Sequence, residues 1–292
     1  MAHIVPTKNS RKLQSTIKRL VKGLSGVTVN TPIFVFTHHK TGTVLLGKIL
    51  NELAKLLNLS FCKVYGYAEE APANFDIVLF EHSLVSEHVL SNDFVGMHII
   101  RDPREIIVSG YLYHLHTTER WCTNIPSKND LPNNICFPVV PYSREHCPME
   151  WKLAYLELLD GKSYQQKLNG KSKSEAIHFE MENFAKWTLD AMATWNYASS
   201  KIIEVKMEDV FANFDDVFLK IFLHFGFTGK LLEEAIKISR KHDLNRMSKS
   251  QIKNNKHIHG GSGSKWRKHF DDKVKKEFDD KYGDLLIKLG YV

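Results

Sequence analysis

Two hydrophobic patterns alternate along the chain. Short, continuous runs of β-branched and aromatic residues predict buried strands at Ile33–Phe36, Phe61–Tyr65, Phe75–Phe80, Val95–Ile100 and Lys201–Lys206. Between them, apolar residues recur every three or four positions, which is typical of amphipathic helices. Strands that alternate with helices imply right-handed crossovers. The pattern therefore predicts a three-layer α/β/α fold around a central, mainly parallel sheet.

The helical periodicity is clearest directly after the first strand, from Val44 to Leu57. A second helix is expected to begin at Asp102-Pro103, because Asp is favoured as the N-cap and Pro at the first helical position. Residues 117–148 are instead rich in proline and predict a long irregular insertion, and a shorter polar stretch follows at residues 160–174. Further helices are expected over 180–199, 214–225, 231–241 and 271–289.

The turn between the first strand and the first helix carries the first candidate chemistry. Its sequence, Thr37-His38-His39-Lys40-Thr41-Gly42-Thr43, is polar, cationic and rich in hydroxyls. A strand that feeds a helix through such a turn directs free backbone N–H groups and the positive helix end at one point. We therefore expect an anion, most often a phosphate, to bind there. Lys40, His82 and Arg101 each follow a predicted strand, where ligands of parallel sheets bind.

Composition narrows the class of protein without identifying it. The chain has 292 residues, a formal net charge of +7 and a pI near 9.0, which favours an anionic partner. It has no apolar stretch near the ~20 residues of a membrane span, no signal-peptide pattern and only four cysteines. We expect a cytoplasmic protein without stable membrane insertion. Residues 1–29 predict a basic helical extension, and residues 30–292 a single domain.

The turn is not a Walker A motif, since Lys40 precedes Gly42 rather than following a second glycine. Its Lys-Thr-Gly-Thr sequence resembles the 5′-phosphosulfate loop of sulfotransferases that use 3′-phosphoadenosine 5′-phosphosulfate (PAPS). The segment from Arg101 to His114 resembles the second nucleotide motif of that family, in which the arginine and a serine eight residues later hold the 3′-phosphate. Here those residues are Arg101 and Ser109.

A third segment, residues 257–270, resembles the family's loop that closes over the nucleotide. His259 stands where the family usually has arginine, and Gly260 and Gly261 follow it. The aromatic residues that usually hold adenine are replaced by Leu45, Met207 and Leu244. The resemblance thus implies a divergent member of the PAPS-dependent sulfotransferase family, with the P-loop-like fold of that family.

The resemblance implies a role for each site residue. Lys40 is expected to stabilise the leaving phosphate, and His82 to act as the base, with Glu81 in reserve. The nucleotide contacts are expected from Lys40, Thr41, Gly42, Thr43, Val44, Arg101, Ser109, His259, Gly260 and Gly261. PAPS is the expected donor and PAP the product, without a metal ion.

The acceptor is expected to be a small molecule or a glycan that offers a hydroxyl or an amine. Residues 117–180 are expected to form part of its pocket, with aromatic residues at Trp121, Phe137, Tyr142, Trp151 and Tyr155. Homodimerisation stays open, and no nucleic acid partner is expected. Two alternatives remain: a P-loop-type small-molecule kinase, and a non-catalytic protein that binds RNA or another polyanion.

Overall fold

The computed structural model describes residues 31–142, 147–248 and 264–292. The predicted N-terminal helix and the predicted nucleotide residues His259, Gly260 and Gly261 lie outside these ranges. In the described part of the chain, no helix is both long and apolar enough to cross a membrane.

Five parallel strands form the central sheet. In chain order they are β1 (Ile33–Phe36), β2 (Phe61–Val64), β3 (Ile77–Phe80), β4 (Val95–Ile100) and β5 (Ile202–Lys206). Their order across the sheet is β2-β3-β1-β4-β5. From β1 the chain runs to β2 at one edge of the sheet and returns to β3 beside β1. It then crosses to β4 on the other side of β1 and ends at β5, which is the other edge. Such a reversal opens a crevice at the carboxyl ends of the central strands, and the predicted parallel sheet is confirmed.

Helices cover both faces of the sheet, as predicted for three layers. They are α1 (Thr43–Leu56), α2 (Glu87–Ser91), α3 (Pro103–His114), α4 (Arg120–Thr123), α5 (Met149–Leu159), α6 (Tyr164–Asn169), α7 (Lys173–Glu182), α8 (Phe184–Thr194), α9 (Met207–Ala212), α10 (Phe214–His224), α11 (Gly229–Arg240), α12 (Trp266–His269) and α13 (Asp272–Leu289). Short 3₁₀ turns lie at Lys128–Asp130 and Leu244–Arg246.

The alternation of side chains along β1 separates two cores. Ile33 and Val35 pack with α1, α9, α10 and α11 on one face. Phe34 and Phe36 point to the other face, where Phe36 stacks on Phe80 with ring centroids 5.0 Å apart. A third cluster joins α3 to α5, α6, α7, α8 and α13. The sheet is therefore buried on both sides, and its open carboxyl edge is left for a site.

The region after α3 differs from the prediction. The polar stretch expected at residues 160–174 contains the helix α6 and the start of α7, and the helix α5, which the sequence did not indicate, precedes it. The single helix predicted over 180–199 is two helices, which meet at Asn183 with φ −118° and ψ −93°. The start of α3 is as predicted: Asp102 accepts a hydrogen bond from the Arg104 N–H, and Pro103 occupies the first turn.

Candidate active site

The loop between β1 and α1 is folded by its own side chains. The buried Thr41 hydroxyl donates to the His38 carbonyl at 2.9 Å and accepts the His38 N–H at 2.8 Å. The Thr43 hydroxyl donates to the same carbonyl at 3.1 Å. Gly42 is the N-cap of α1 and has no side chain to cap the helix. The first-turn N–H groups of α1 are thus available to an anion.

Two residues of this loop have positive φ angles, Lys40 at 66° and Gly42 at 101°. Glycine tolerates such a conformation without a steric penalty. A side chain at this position would also lack room, because a Cβ at Gly42 would lie 3.0 Å from the Met207 Sδ. The sequence therefore places glycine where the loop turns into α1 against α9.

Arg101 joins the loop to the strand beside it. It follows β4, its side chain is largely buried, and its Nη1 donates to the Lys40 carbonyl at 3.0 Å. Its Nη2 lies 3.5 Å from a carboxylate oxygen of Glu105. The other Glu105 oxygen accepts the Trp266 N–H at 3.0 Å, which holds the start of α12 against α3. The Arg101 guanidinium is thereby fixed at the mouth of the crevice.

One cavity of about 800 Å³ brings most of the predicted residues together. Those on its wall are Lys40, Gly42, Thr43, Val44, His82, Arg101 and Ser109. Thr41 is instead buried within the loop, where it supports the wall. Three strand ends, those of β1, β3 and β4, thus contribute to a single site.

The field in this cavity disfavours a charge on Lys40. Burial, with a further contribution from the neighbouring cations Arg101 and Lys265, lowers the pKa of Lys40 to about 8, although Glu119 and Glu180 act in the opposite direction. The Lys40 ammonium lies 4.1 Å from the centre of the Tyr113 ring. A bound anion would relieve the repulsion between these cations, so the cavity is suited to a negatively charged ligand.

His82 lies in the cavity wall but is held in a particular way. Its Nδ1 accepts the Gly66 N–H at 3.2 Å, so the neutral ring carries its hydrogen on Nε2. Burial lowers the pKa of His82 to about 4, against a smaller opposing effect of Glu119. Glu81, the reserve residue, accepts a hydrogen bond from Lys63 Nζ at 3.0 Å.

Sequence reasoning missed the polar pair formed by Tyr113 and Glu119. The Tyr113 hydroxyl donates to one Glu119 oxygen at 2.6 Å, and the Trp121 indole N–H donates to the other at 2.5 Å. All three residues line the cavity. Tyr113 lies inside the arginine motif, and Glu119 follows that motif in a stretch without regular periodicity, so no sequence pattern joined the two residues.

The aromatic residues expected in the acceptor pocket divide into two groups. Trp121 and Phe137 line the cavity. Trp151 instead stacks on the buried Tyr155, with ring centroids 5.3 Å apart, and its edge meets Tyr142 at 5.9 Å. Trp151, Tyr155 and Tyr142 therefore pack on one another next to the cavity and do not line its wall.

The cavity wall also has an apolar part. Leu45, Met207 and Leu244, the positions of the missing aromatic residues, all line the cavity. Phe211 of α9 and Met247 are further lining residues that the sequence did not indicate. These residues offer one aromatic ring and two thioethers to a planar ligand.

A parallel sheet with a cationic loop and a buried arginine at its carboxyl edge defines the class of α/β proteins that bind phosphorylated ligands. The family is shown by sequence: the family model described as "Sulfotransferase domain" matches residues 30–290. The chain belongs to that family and is an enzyme of the sulfotransferase type. A search against curated proteins finds no match.

Two solved structures are similar at low identity. Mouse sulfotransferase SULT7A1 complexed with PAP aligns over 88% of this chain and 84% of its own, with 15% identity and a TM-score of 0.48. Retinol dehydratase in complex with androsterone and inactive cofactor PAP aligns over 87% and 80%, with 13% identity and a TM-score of 0.46. Within the described ranges, no group of three or more His, Cys, Asp or Glu residues is placed to hold a metal ion.

Proposed function

We propose that the protein transfers a sulfuryl group from PAPS to a hydroxyl or amine of a small-molecule or glycan acceptor. The observation that carries the proposal is the pairing of Arg101 with the Lys40 carbonyl at 3.0 Å, in one cavity with Ser109. Two phosphate-type sites, one on the loop and one on β4 and α3, then lie side by side. A nucleotide that bears phosphate groups at both its 3′ and 5′ positions needs such a pair.

The donor would occupy the loop side of the cavity. Its phosphosulfate binds Lys40, Thr43 and the N-terminal N–H groups of α1, while Thr41 fixes the loop from beneath. Its 3′-phosphate binds the planar fork of Arg101 and the Ser109 hydroxyl. Adenine packs on the apolar part of the wall, at Leu45, Met207, Phe211 and Leu244. His259, Gly260 and Gly261 complete the nucleotide site in the family resemblance.

The transfer is an in-line displacement, as in phosphoryl transfer. The acceptor oxygen or nitrogen attacks the sulfur and forms a new bond to it, and the bond from sulfur to the leaving phosphate oxygen breaks. The Lys40 ammonium stabilises the charge that grows on that oxygen. The acceptor proton passes to a base, and PAP leaves with the charge of the broken bond.

His82 is proposed as that base, with a constraint from its geometry. The His82 Nδ1 already accepts the Gly66 N–H. That hydrogen bond must break before Nδ1 can take the proton of the acceptor, and Nε2 keeps its hydrogen. Glu81 would first have to part from Lys63. His82→Ala should therefore lower turnover and leave PAP binding nearly unchanged. Full activity in that variant would assign the base to another residue.

The acceptor is proposed to bind beyond Lys40, on the wall that the 117–180 segment contributes. Trp121, Phe137 and the short run Asn133–Ile135 lie on that wall. Within the single domain of residues 30–292, this segment would set the size and polarity of the acceptor pocket.

Thermal stabilisation by ligands tests the proposal against its alternatives. PAP should raise the melting temperature, whereas ATP and an oligonucleotide should have little effect. A shift with ATP but none with PAP would favour a kinase, and a shift with the oligonucleotide alone a polyanion-binding protein. A screen for transfer of labelled sulfate from PAPS to phenols, amines and glycans then identifies the acceptor, with Lys40→Ala as the inactive control.

A further inference from the structure

A second polar cluster lies beneath the loop, and the proposed chemistry does not use it. His38 Nε2 lies 2.7 Å from His98 Nε2, and His98 Nδ1 lies 2.7 Å from a carboxylate oxygen of Glu204. Both histidines are fully buried. Polar groups inside a protein destabilise it unless they are hydrogen-bonded. A continuous chain of three such groups at the back of the site requires an explanation.

The sheet itself builds this chain. His98 on β4 lies opposite Glu204 on β5 in the parallel register. Phe36 at the end of β1 pairs with His98, and His38 follows two residues later. Trp195 stacks on the His98 ring at 4.1 Å, and its indole N–H donates to the second Glu204 oxygen at 3.0 Å. One oxygen of Glu204 is thus occupied by a fixed donor, and the other faces His98.

The hydrogen-bonded chain of side chains from Glu204 through His98 to His38 ends at the loop between β1 and α1. The His38 carbonyl accepts the hydroxyls of Thr41 and Thr43, and the His38 N–H donates to the Thr41 hydroxyl. His38 is therefore the residue around which the loop is hydrogen-bonded. Its ring contacts His98, so the two ends of the chain are the loop and Glu204.

Hydrogen bonding allows two arrangements of this chain, with both imidazoles neutral. When Glu204 is ionised, His98 donates from Nδ1 to Glu204, and His38 donates from Nε2 to His98. When Glu204 holds a proton, it donates to His98 Nδ1, His98 donates from Nε2 to His38, and His38 carries its hydrogen on Nδ1, which has no hydrogen-bond partner among the described residues. One proton gained at Glu204 therefore changes the tautomer of both rings.

The environment places this change near neutral pH. Burial raises the pKa of Glu204 to about 7, against the opposing hydrogen bond from Trp195. Burial also lowers the pKa of His98 to about 3 and that of His38 well below its usual value, so both rings stay neutral.

The other titratable groups around the chain are few among the described residues. Tyr197 faces Glu204, and burial raises its pKa, so it stays protonated. Lys288 lies over the Tyr197 ring at 5.2 Å. His82 lowers the pKa of His38 by charge repulsion. Glu204 is therefore the member of this group that titrates near pH 7.

We propose that Glu204, acting through His98, is a positioning residue that sets the tautomer of His38, and that the charge of Glu204 sets the phosphate affinity of the loop. The proposal rests on the function proposed above. Ionised Glu204 places a negative charge behind an anion site, and protonation removes it. Affinity for PAP should thus be higher when Glu204 is protonated.

Glu204→Gln tests this directly. The amide oxygen can accept the Trp195 N–H while the amide nitrogen donates to His98 Nδ1, so the variant keeps the protonated arrangement at every pH. At pH 8 it should bind PAP more tightly than the wild type, on the order of fivefold, because the variant lacks the negative charge behind the anion site. At pH 6 the two proteins should bind alike. Calorimetric titration with PAP measures both values, and titration of PAP itself affects both proteins equally.

The matched control is Glu277→Gln. It removes a carboxylate that lies 2.7 Å from His178 and away from the cavity. This variant should keep the wild-type affinity for PAP at both pH values. If Glu204→Gln shows the same difference between pH 6 and pH 8 as the wild type and this control, the proposal is wrong.

A second measurement needs no nucleotide. In the wild type, the ¹⁵N chemical shifts of the His38 and His98 rings should show a change of tautomer between pH 6 and pH 8. In Glu204→Gln, these shifts should stay constant. Unchanged shifts in the wild type would overturn the proposed chain even if PAP binds. Failure of the wild type to bind PAP, with the tautomer exchange present, would instead count against the proposed donor.

Discussion

The turn from the loop into α1 gives the sharpest test of how the site is built. Gly42 has a φ of 101°, and a Cβ at this position would lie 3.0 Å from the Met207 Sδ and 3.4 Å from its Cε. Gly42→Ala therefore adds two separate costs, one in the backbone and one in packing. Both act where the first N–H groups of α1 face the proposed phosphosulfate.

The magnitude follows from these two contributions. An L-residue held at positive φ is destabilised by about 1–2 kcal/mol. Moving a flexible thioether by a few tenths of an ångström adds roughly 0.5–1 kcal/mol. The free energy of unfolding should thus fall by about 2 kcal/mol, which lowers the melting temperature of a chain of 292 residues by roughly 3 °C.

A double-mutant cycle with Met207→Ala separates the two contributions. In that background the new methyl group has room, so Gly42→Ala should cost only the backbone part, about 1–2 kcal/mol. Denaturant unfolding monitored by fluorescence measures all four proteins. PAP affinity should fall at least tenfold in Gly42→Ala, because a changed φ turns the first N–H groups of α1 away from the anion.

Gly283→Ala is the matched control. Gly283 lies inside α13, and a Cβ there would meet no atom within 4 Å. Alanine should stabilise this helix by about 0.5–1 kcal/mol. The reasoning is refuted if Gly42→Ala changes stability by less than about 0.5 kcal/mol, or if its cost is the same with and without Met207.

Three further outcomes follow from the cavity and its surroundings. Because burial lowers the pKa of Lys40 to about 8, calorimetric affinity for PAP should decrease as pH rises from about 8 to about 9, above the range in which Glu204 titrates, and Lys40→Ala should show no such decrease; a parallel decrease in both would mean that Lys40 does not bind the anion. Arg101→Lys keeps the charge but loses the planar fork, so PAP should bind at least tenfold more weakly; equal affinity would exclude the fork as the 3′-phosphate contact. Glu180 is fully buried and accepts hydrogen bonds from His114 Nδ1 at 2.9 Å and from the Tyr164 hydroxyl at 3.0 Å. Glu180→Ala should therefore lower the free energy of unfolding, measured with denaturant, by about 2–4 kcal/mol. A loss below about 1 kcal/mol would contradict this account.

The sheet was predictable because its three central strands, β1, β3 and β4, are short and largely apolar runs that are buried on both faces. The 149–182 segment was not, and Glu180 explains part of the difference. It occupies a core position on α7 between Ala176, Ile177 and Met181, which breaks the apolar stripe that would have indicated a helix. Its partners are 16 and 66 residues away along the chain. A local pattern cannot reveal that such a carboxylate is satisfied.

The candidate site divides in the same way. Lys40, Arg101 and Ser109 were predictable because each lies in a short motif at a strand end. The link from Tyr113 to Glu119 and the chain from His38 to Glu204 depend on contacts between separate elements. The position of His82 after a strand could be predicted from the sequence, but its contact with Gly66, which fixes its tautomer, is visible only in the structure.

A hydrogen bond joins the loop to the arginine motif, so the two candidate phosphate sites are not independent of each other. With φ at 66°, Lys40 places its carbonyl against Arg101 Nη1 and its side chain in the same cavity. Under the proposed function, the residue that binds the 3′-phosphate therefore also holds the backbone of the residue that acts on the leaving phosphate. Any displacement of Arg101 must move the Lys40 carbonyl or break the hydrogen bond to it. The 3′-phosphate would then contribute to turnover as well as to binding, because occupancy of its site fixes the lysine on which the transfer depends.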